Sequence, residues 1–216
     1  MTLGDITPNE DFELSSIQFM TTGGATAKVS FGGKTVSAKY VYWTDEDAED
    51  GAGWYLDADS DATVNQNDVA LPMGQGFLVS RTAKETNAGF VFAGEVSSEP
   101  VTKGFSAGYN LVGNCSPANL TLGDITPNED FELSSIQFMT TGGATAKVSF
   151  GGKTVSAKYV YWTDEDAEDG AGWYLDADSD ATVNQNDLVA LDAGVGFLVS
   201  RTAKETNAML TIPSAL

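Results

Sequence analysis

The chain has 216 residues, 42 % apolar and 19 % charged, with 31 acidic against 11 basic side chains, no histidine and a formal net charge of −20. This is a globular composition, with room for two domains of about 100 residues each. The lack of histidine removes Ser–His–Asp and Cys–His nucleophile systems and zinc–imidazole sites, the acidic field repels nucleic acid and anionic membranes, and no apolar run approaches the ~20 residues of a membrane helix. The expectation is therefore a non-enzymatic protein with no nucleic-acid partner and no membrane insertion.

The sequence repeats itself. Thr2–Asp68 recurs letter for letter as Thr121–Asp187, and after the extra Leu188 the identity returns, Phe77–Ala88 matching Phe197–Ala208. An internal repeat makes the repeat the unit of folding, and tandem copies serve reach, valency or assembly more often than chemistry. Two domains are expected, 1–100 and 101–216. Val101–Leu120 precedes the second copy and has no counterpart before the first, so the first is expected to lack its opening segment.

In chain order the elements read as short strands. A first strand is expected near Ile17–Thr21. Ala27–Phe31 alternates apolar and polar as a half-buried strand does, and Gly32-Gly33 is a two-residue hairpin signal. Lys34–Trp43 is rich in β-branched and aromatic residues and reads as one strand. Trp54–Leu56, Gly76–Arg81 and Gly89–Phe92 follow, and in the second copy Phe105 and Tyr109–Val112 add one or two more. Short strands with glycine turns predict an all-β chain of two tandem antiparallel β-sandwich or barrel-like domains with very little helix. Tyr40, Tyr42, Trp43, Trp54 and Tyr55 read as core and cross-strand packing, with a sugar-stacking platform as the alternative. Cys115 is the sole cysteine, so no intrachain disulfide forms; it is expected as a buried, inert thiol, with an intermolecular link as the alternative.

Nine acids fall between Asp45 and Asp68 with no Lys or Arg among them, and with the second copy they make 18 of the chain's 31 acids. Within this stretch Asp57–Asp68, DADSDATVNQND, has oxygen-bearing residues at the ligand positions of a twelve-residue calcium loop: Asp57, Asp59, Asp61, Thr63, Asn65 and Asp68 at one, three, five, seven, nine and twelve. The second copy repeats them as Asp176, Asp178, Asp180, Thr182, Asn184 and Asp187. Calcium is a hard ion that takes six to eight oxygens, and position seven offers its backbone carbonyl. Val64 at eight is expected as an apolar anchor into the core. The run Asp45–Asp50 reads as a solvated acidic loop.

These twelve residues resemble the calcium loop of dockerin modules, bacterial relatives of the EF-hand, which also carry Val or Ile at eight, often Asn at nine, and Asp at twelve. The resemblance implies bound Ca2+, and it makes Asp187–Leu191 look like the start of a dockerin helix. The chain departs from the pattern at position six, where Ala62 and Ala181 replace a left-handed Gly, and at Pro72 and Gly74-Gln75-Gly76, which end any helix in the first copy. The loop is thus expected as an insert between strands. A second resemblance lies in Ala107–Asn114, AGYNLVGN, which is similar to the opening of β-rich repeats of secreted or surface-anchored bacterial proteins. Those repeats close on Gly-x-Gly-Phe-x-Val, here Gly74–Val79 and Gly194–Val199. It implies an extracellular or cell-surface setting. The unequal copies add a mechanical expectation, a homo-oligomer or filament formed by strand complementation between subunits. A glycan or a protein ligand is the alternative partner, the former met through exposed Trp43 and Trp54.

Overall fold

The structure is a computed structural model that describes residues 1–12, 15–21, 24–44, 48–85, 87–92, 97–114, 116–140, 142–163 and 167–214. Cys115 and the first acids of each acidic run, Asp45–Asp47 and Asp164–Asp166, lie outside the described residues. The chain divides into two compact units, Met1–Thr21 with Ala25–Glu95, and Val96–Leu216 with Thr22–Gly24. Both are all-β. The helical turns among the described residues are three-residue 3-10 turns such as Leu3–Asp5 and Glu10–Phe12. Among the described residues no helix is long and apolar enough to cross a membrane.

The first unit contains β1 (Ile6–Pro8), β2 (Ser16–Gln18), β3 (Lys28–Phe31), β4 (Lys34–Ser37), β5 (Lys39–Trp43), β6 (Gly53–Leu56), β7 (Leu78–Ser80) and β8 (Phe90–Phe92). Its main antiparallel sheet has the order β6-β5-β2-β7, beside a β3–β4 hairpin and a β1–β8 pair. Ile17 at its centre faces Tyr40 on one side and Val79 on the other. The hairpin turns at Gly32 and Gly33 with φ of +55° and +74°, the two positive values a type I′ turn demands and glycine supplies without strain. The expected single strand Lys34–Trp43 is two. Buried Ala38 interrupts it, donating its N–H to the Ala27 carbonyl at 2.8 Å and accepting from the Phe19 N–H at 3.1 Å. With both backbone groups held there, the chain leaves the hairpin as β4 and enters the main sheet as β5.

The second unit contains β9 (Val101–Gly104), β10 (Gly108–Gly113), β11 (Leu120–Thr121), β12 (Thr126–Pro127), β13 (Ser135–Gln137), β14 (Lys147–Phe150), β15 (Lys153–Ser156), β16 (Lys158–Trp162), β17 (Gly172–Leu175), β18 (Ala190–Leu191), β19 (Gly196–Arg201) and β20 (Met209–Ile212). Its main sheet, β10-β19-β13-β16-β17, repeats that of the first unit with β10 added at one edge. The smaller sheet is β12-β20-β9, where the first unit has β1-β8 alone. The opening segment therefore supplies two strands to two sheets, and Phe105 is a core residue in the connection between them. Asp187–Leu191 is not a helix. Its end forms β18, whose Leu191 pairs with Leu120 of β11 and is fully buried, and tertiary pairing overrides the local helix signal.

Each unit has its own core. In the first, Leu3, Ile6, Phe12, Ile17, Trp54 and Leu56 are buried together. Phe12 meets Trp54 edge to face with centroids 5.8 Å apart, and the Trp54 indole N–H donates to the Ile6 carbonyl at 3.0 Å. The second core repeats this through Phe131, Trp173 and Ile125 and adds Phe105 and Val112 from the opening segment. Those additions matter for exposure. Val199 on β19 is fully buried, whereas its counterpart Val79 on β7 is 45 % exposed. Phe197, Ala208 and Leu210 are buried, while Phe77, Ala88 and Phe90 are only partly covered.

Candidate functional site

The predicted loop runs out of β6 and is held from both ends. The Trp54 N–H donates to Asn67 Oδ1 at 2.9 Å, and the Gln66 N–H donates to the Trp54 carbonyl at 2.7 Å. The Gly4 N–H reaches the Asn67 carbonyl at 2.9 Å, tying the loop to the first 3-10 turn. Gly53 sits beneath it: a Cβ there would stand 2.4 Å from Asn65 Nδ2 and 2.7 Å from Asn67 Nδ2. Asn67 and Gly53 were not signalled by calcium-loop spacing, since neither occupies a ligand position.

Asp59 is the hub. Its carboxylate is buried and accepts the backbone N–H of Thr63 and of Val64, each at 3.0 Å, and the Thr63 hydroxyl at 3.2 Å. Just before them Ala62 takes φ of +47°, the left-handed conformation that the loop resemblance asks for at position six, and Ala181 repeats it at +48°. A Cβ in this region costs roughly 1–2 kcal/mol, and Ala62 is held there by its own N–H on the Asp59 carbonyl at 3.2 Å and by the Asp59 carboxylate bonds to the next two residues.

The other predicted ligands lie around this hub. Asp57 is exposed and pairs with Lys39 Nζ at 3.1 Å. Asp61, Thr63 and Asp68 are exposed. Asn65 is half-buried; its Oδ1 accepts from the Asn67 N–H at 2.8 Å and its Nδ2 donates to the Tyr55 hydroxyl at 3.4 Å. The second unit repeats the set through Asp178 with Thr182 and Val183, Asp176 with Lys158, and Asn184 with Tyr174. Asp180 and Asp187 are exposed. Among the described residues no three carboxylates converge on one point. The structure thus has a left-handed turn at Ala62 and a buried carboxylate at Asp59, with the other oxygens of the predicted set spread along the loop's rim.

Val64 does not anchor the loop as expected. It is 47 % exposed and Val183 is 40 % exposed. The Asp59 carboxylate holds the Val64 N–H and the Gln66 side chain donates to the Val64 carbonyl at 3.1 Å, which leaves the side chain facing out. Of the run Asp45–Asp50, the described Glu49 and Asp50 are exposed, in keeping with a solvated loop.

In the first unit a groove of about 770 Å³ opens beside the loop, lined by Asn9, Glu10, Tyr42, Trp43, Asp57 and Asp59 among others. Trp54 and Tyr55 are fully buried and Tyr40 nearly so, in agreement with core packing; Trp43 is half-buried at the end of β5. Trp54 is therefore no stacking surface.

No protein-family model matches this sequence, and comparison with curated proteins and with solved structures returns no match.

Proposed function

We propose that the chain is a non-enzymatic structural and assembly repeat of an extracellular or bacterial cell-surface protein, stabilised by Ca2+ and associating into a homo-oligomer or filament by strand complementation between subunits. The observation that carries this reading is that, among the described residues, the main sheet has four strands in the first unit and five in the second. Among the described residues β7 ends the main sheet of the first unit, with Val79 45 % exposed, and sheet edges are templates for pairing with another chain.

The calcium part rests on the left-handed turn at Ala62, the buried Asp59 and the hard oxygens around them. Asp57, Asp59, Asp61, Thr63, Asn65 and Asp68 would hold the ion, Thr63 through its carbonyl, with Asp57 exchanging its solvent-exposed Lys39 partner for the metal. That exchange costs little, because exposed ion pairs contribute about 0–1 kcal/mol. When bound, Ca2+ supplies charge neutralisation to an acidic loop, and binding to the folded state alone stabilises by about 2.7 kcal/mol per site at a hundredfold excess over its dissociation constant.

Light scattering and calorimetry in calcium and in chelator test the proposal. The expected result is a raised melting temperature and concentration-dependent growth in calcium; a monomer indifferent to calcium overturns it. A carbohydrate-binding or adhesion role is the second reading, supported by Trp43 and Tyr42 beside Asn9 and Asp57 in the groove.

A further inference from the structure

The main sheet of the second unit ends at β10, which pairs with β19 and, among the described residues, with no other strand. Its register is unbroken from Gly108 opposite Arg201 to Gly113 opposite Gly196, and the Asn114 N–H carries it on to the Val195 carbonyl at 3.0 Å. Hydrogen-bonded and non-hydrogen-bonded pairs alternate along an antiparallel ladder. With Asn114 bonded to Val195, the backbone groups of Val112, Asn110 and Gly108 turn toward β19, and those of Tyr109, Leu111 and Gly113 turn outward. Among the described residues these three make no hydrogen bond on that outer side. Side chains alternate as well. Val112 is fully buried in the core, so Tyr109 and Leu111 lie on the opposite face, Tyr109 43 % exposed and Leu111 half-buried.

We infer that β10 is the edge through which a second copy of this chain binds, the two β10 strands pairing antiparallel about a two-fold axis at Leu111. This deepens the assembly reading and rests on it. The strand is complementary to itself in that register. Leu111 lies opposite Leu111 of the second copy, and Tyr109 lies opposite Gly113. The residues whose backbone groups face outward thereby become the hydrogen-bonded pairs, and each N–H meets a carbonyl. The Tyr109 ring covers the bare backbone of the opposing glycine, a pairing by which aromatic side chains offset glycine in a strand. The two-fold axis keeps both cores on the same side and joins two five-stranded sheets into one of ten.

Charge selects the occupant. Sheet edges are usually blunted by a lysine, a proline or a bulge, and β10 has none of these. No charged side chain occurs from Gly104 through Gly123, the longest uncharged run in a chain of net charge −20. Two copies repel one another over most acidic surfaces but bring no charge to this seam, and a basic partner finds no carboxylate in the strand to pair with. The contact uses the same patch on both copies and closes on itself, so this edge gives a dimer, and growth beyond a dimer uses another surface.

The test is sedimentation of the full chain in chelator over a concentration series, with hydrogen exchange at both ends of the series. The expected result is a monomer–dimer equilibrium, with amide protection rising with concentration at Tyr109, Leu111 and Gly113 and unchanged at Asn110 and Val112. Leu111→Lys and Leu111→Glu, made on the face away from the core, each weaken the dimer about tenfold or more by setting like charges opposite one another. An equimolar mixture of the two variants restores it, a result that loss of folding could not give. A chain that stays monomeric overturns the inference, as does a dimer that neither variant weakens or a mixture that recovers nothing. The two readings separate in calcium. Calcium-dependent growth from a chain that is monomeric in chelator, left intact by Leu111→Lys, removes this contact and keeps the assembly reading. A dimer with the expected variant pattern and no response to calcium keeps the contact and removes calcium-stabilised assembly.

Discussion

The Asp59 carboxylate accepts the Thr63 backbone N–H at 3.0 Å across the left-handed Ala62, and Asp178 accepts that of Thr182 at the same distance across Ala181. This contact holds the loop's shape without help from a metal. Asp59→Ala should therefore destabilise the first unit by about 2–3 kcal/mol already in chelator, because hydrogen bonds to a charged acceptor are worth that much, and by more in calcium, where a ligand is lost as well. Asp57→Ala and Asp61→Ala should behave differently, lowering the melting temperature in calcium and changing little in chelator. Thermal melts of all three under both conditions decide it. If the last two melt like the parent in calcium, they are not ligands.

Gly53 is required by the side chains above it rather than by its own dihedrals. Gly53→Ala would push a methyl into Asn65 and Asn67, and both amides are already committed, to Tyr55 and to Trp54. The expected loss is about 1–3 kcal/mol by overpacking, and Gly172→Ala should match it in the second unit. Urea titrations would measure both.

The units should not melt together. The second buries Val112 and Phe105 in one core with Val199 and Phe197, and the first has no described counterpart to the β9–β10 segment that carries them. Calorimetry should resolve two transitions, with the first unit melting lower. Val112→Ala, which leaves a cavity at a fully buried position, should cost about 2 kcal/mol and move only the upper transition. A single transition unaffected by this substitution would contradict the account.

Alkali should weaken both units through Tyr40 and Tyr159, whose hydroxyl pKa values burial raises above the ordinary 10.0. The folded chain then holds a proton that the unfolded chain releases. The stabilisation is complete below about pH 10 and is lost as pH rises through the raised folded values. Tyr40→Phe should leave stability at pH 8 near that of the parent and flatten the decline above pH 10 for the first unit, read by urea titrations across that range.

Ser134 and Glu205 form a buried pair in the second unit, with the Leu133 N–H also donating to Glu205 at 2.5 Å and the Thr202 hydroxyl at 3.2 Å. Ser134→Ala should cost about 1–3 kcal/mol, since it removes one donor from a buried carboxylate. Denaturant melts of the upper transition check this.

The letter-for-letter repeat, the alternation of Ala27–Phe31 and the Gly32-Gly33 turn were readable from residues alone, because each is a local or periodic property of the chain. So was the all-β class. The oxygen spacing of Asp57–Asp68 was equally local, whereas the positive φ of Ala62 within it came from the structure. What local pattern could not carry was direction. Val64 faces solvent because Asp59 and Gln66 hold its backbone, and Asp187–Leu191 runs into β18 because Leu191 finds Leu120 far away in sequence. The exposure of Val79 belongs to the same class of fact. Gly76–Arg81 and Gly196–Arg201 are the same six residues, yet Val79 is exposed and Val199 buried, since burial depends on the strand lying alongside and not on the residues that it covers.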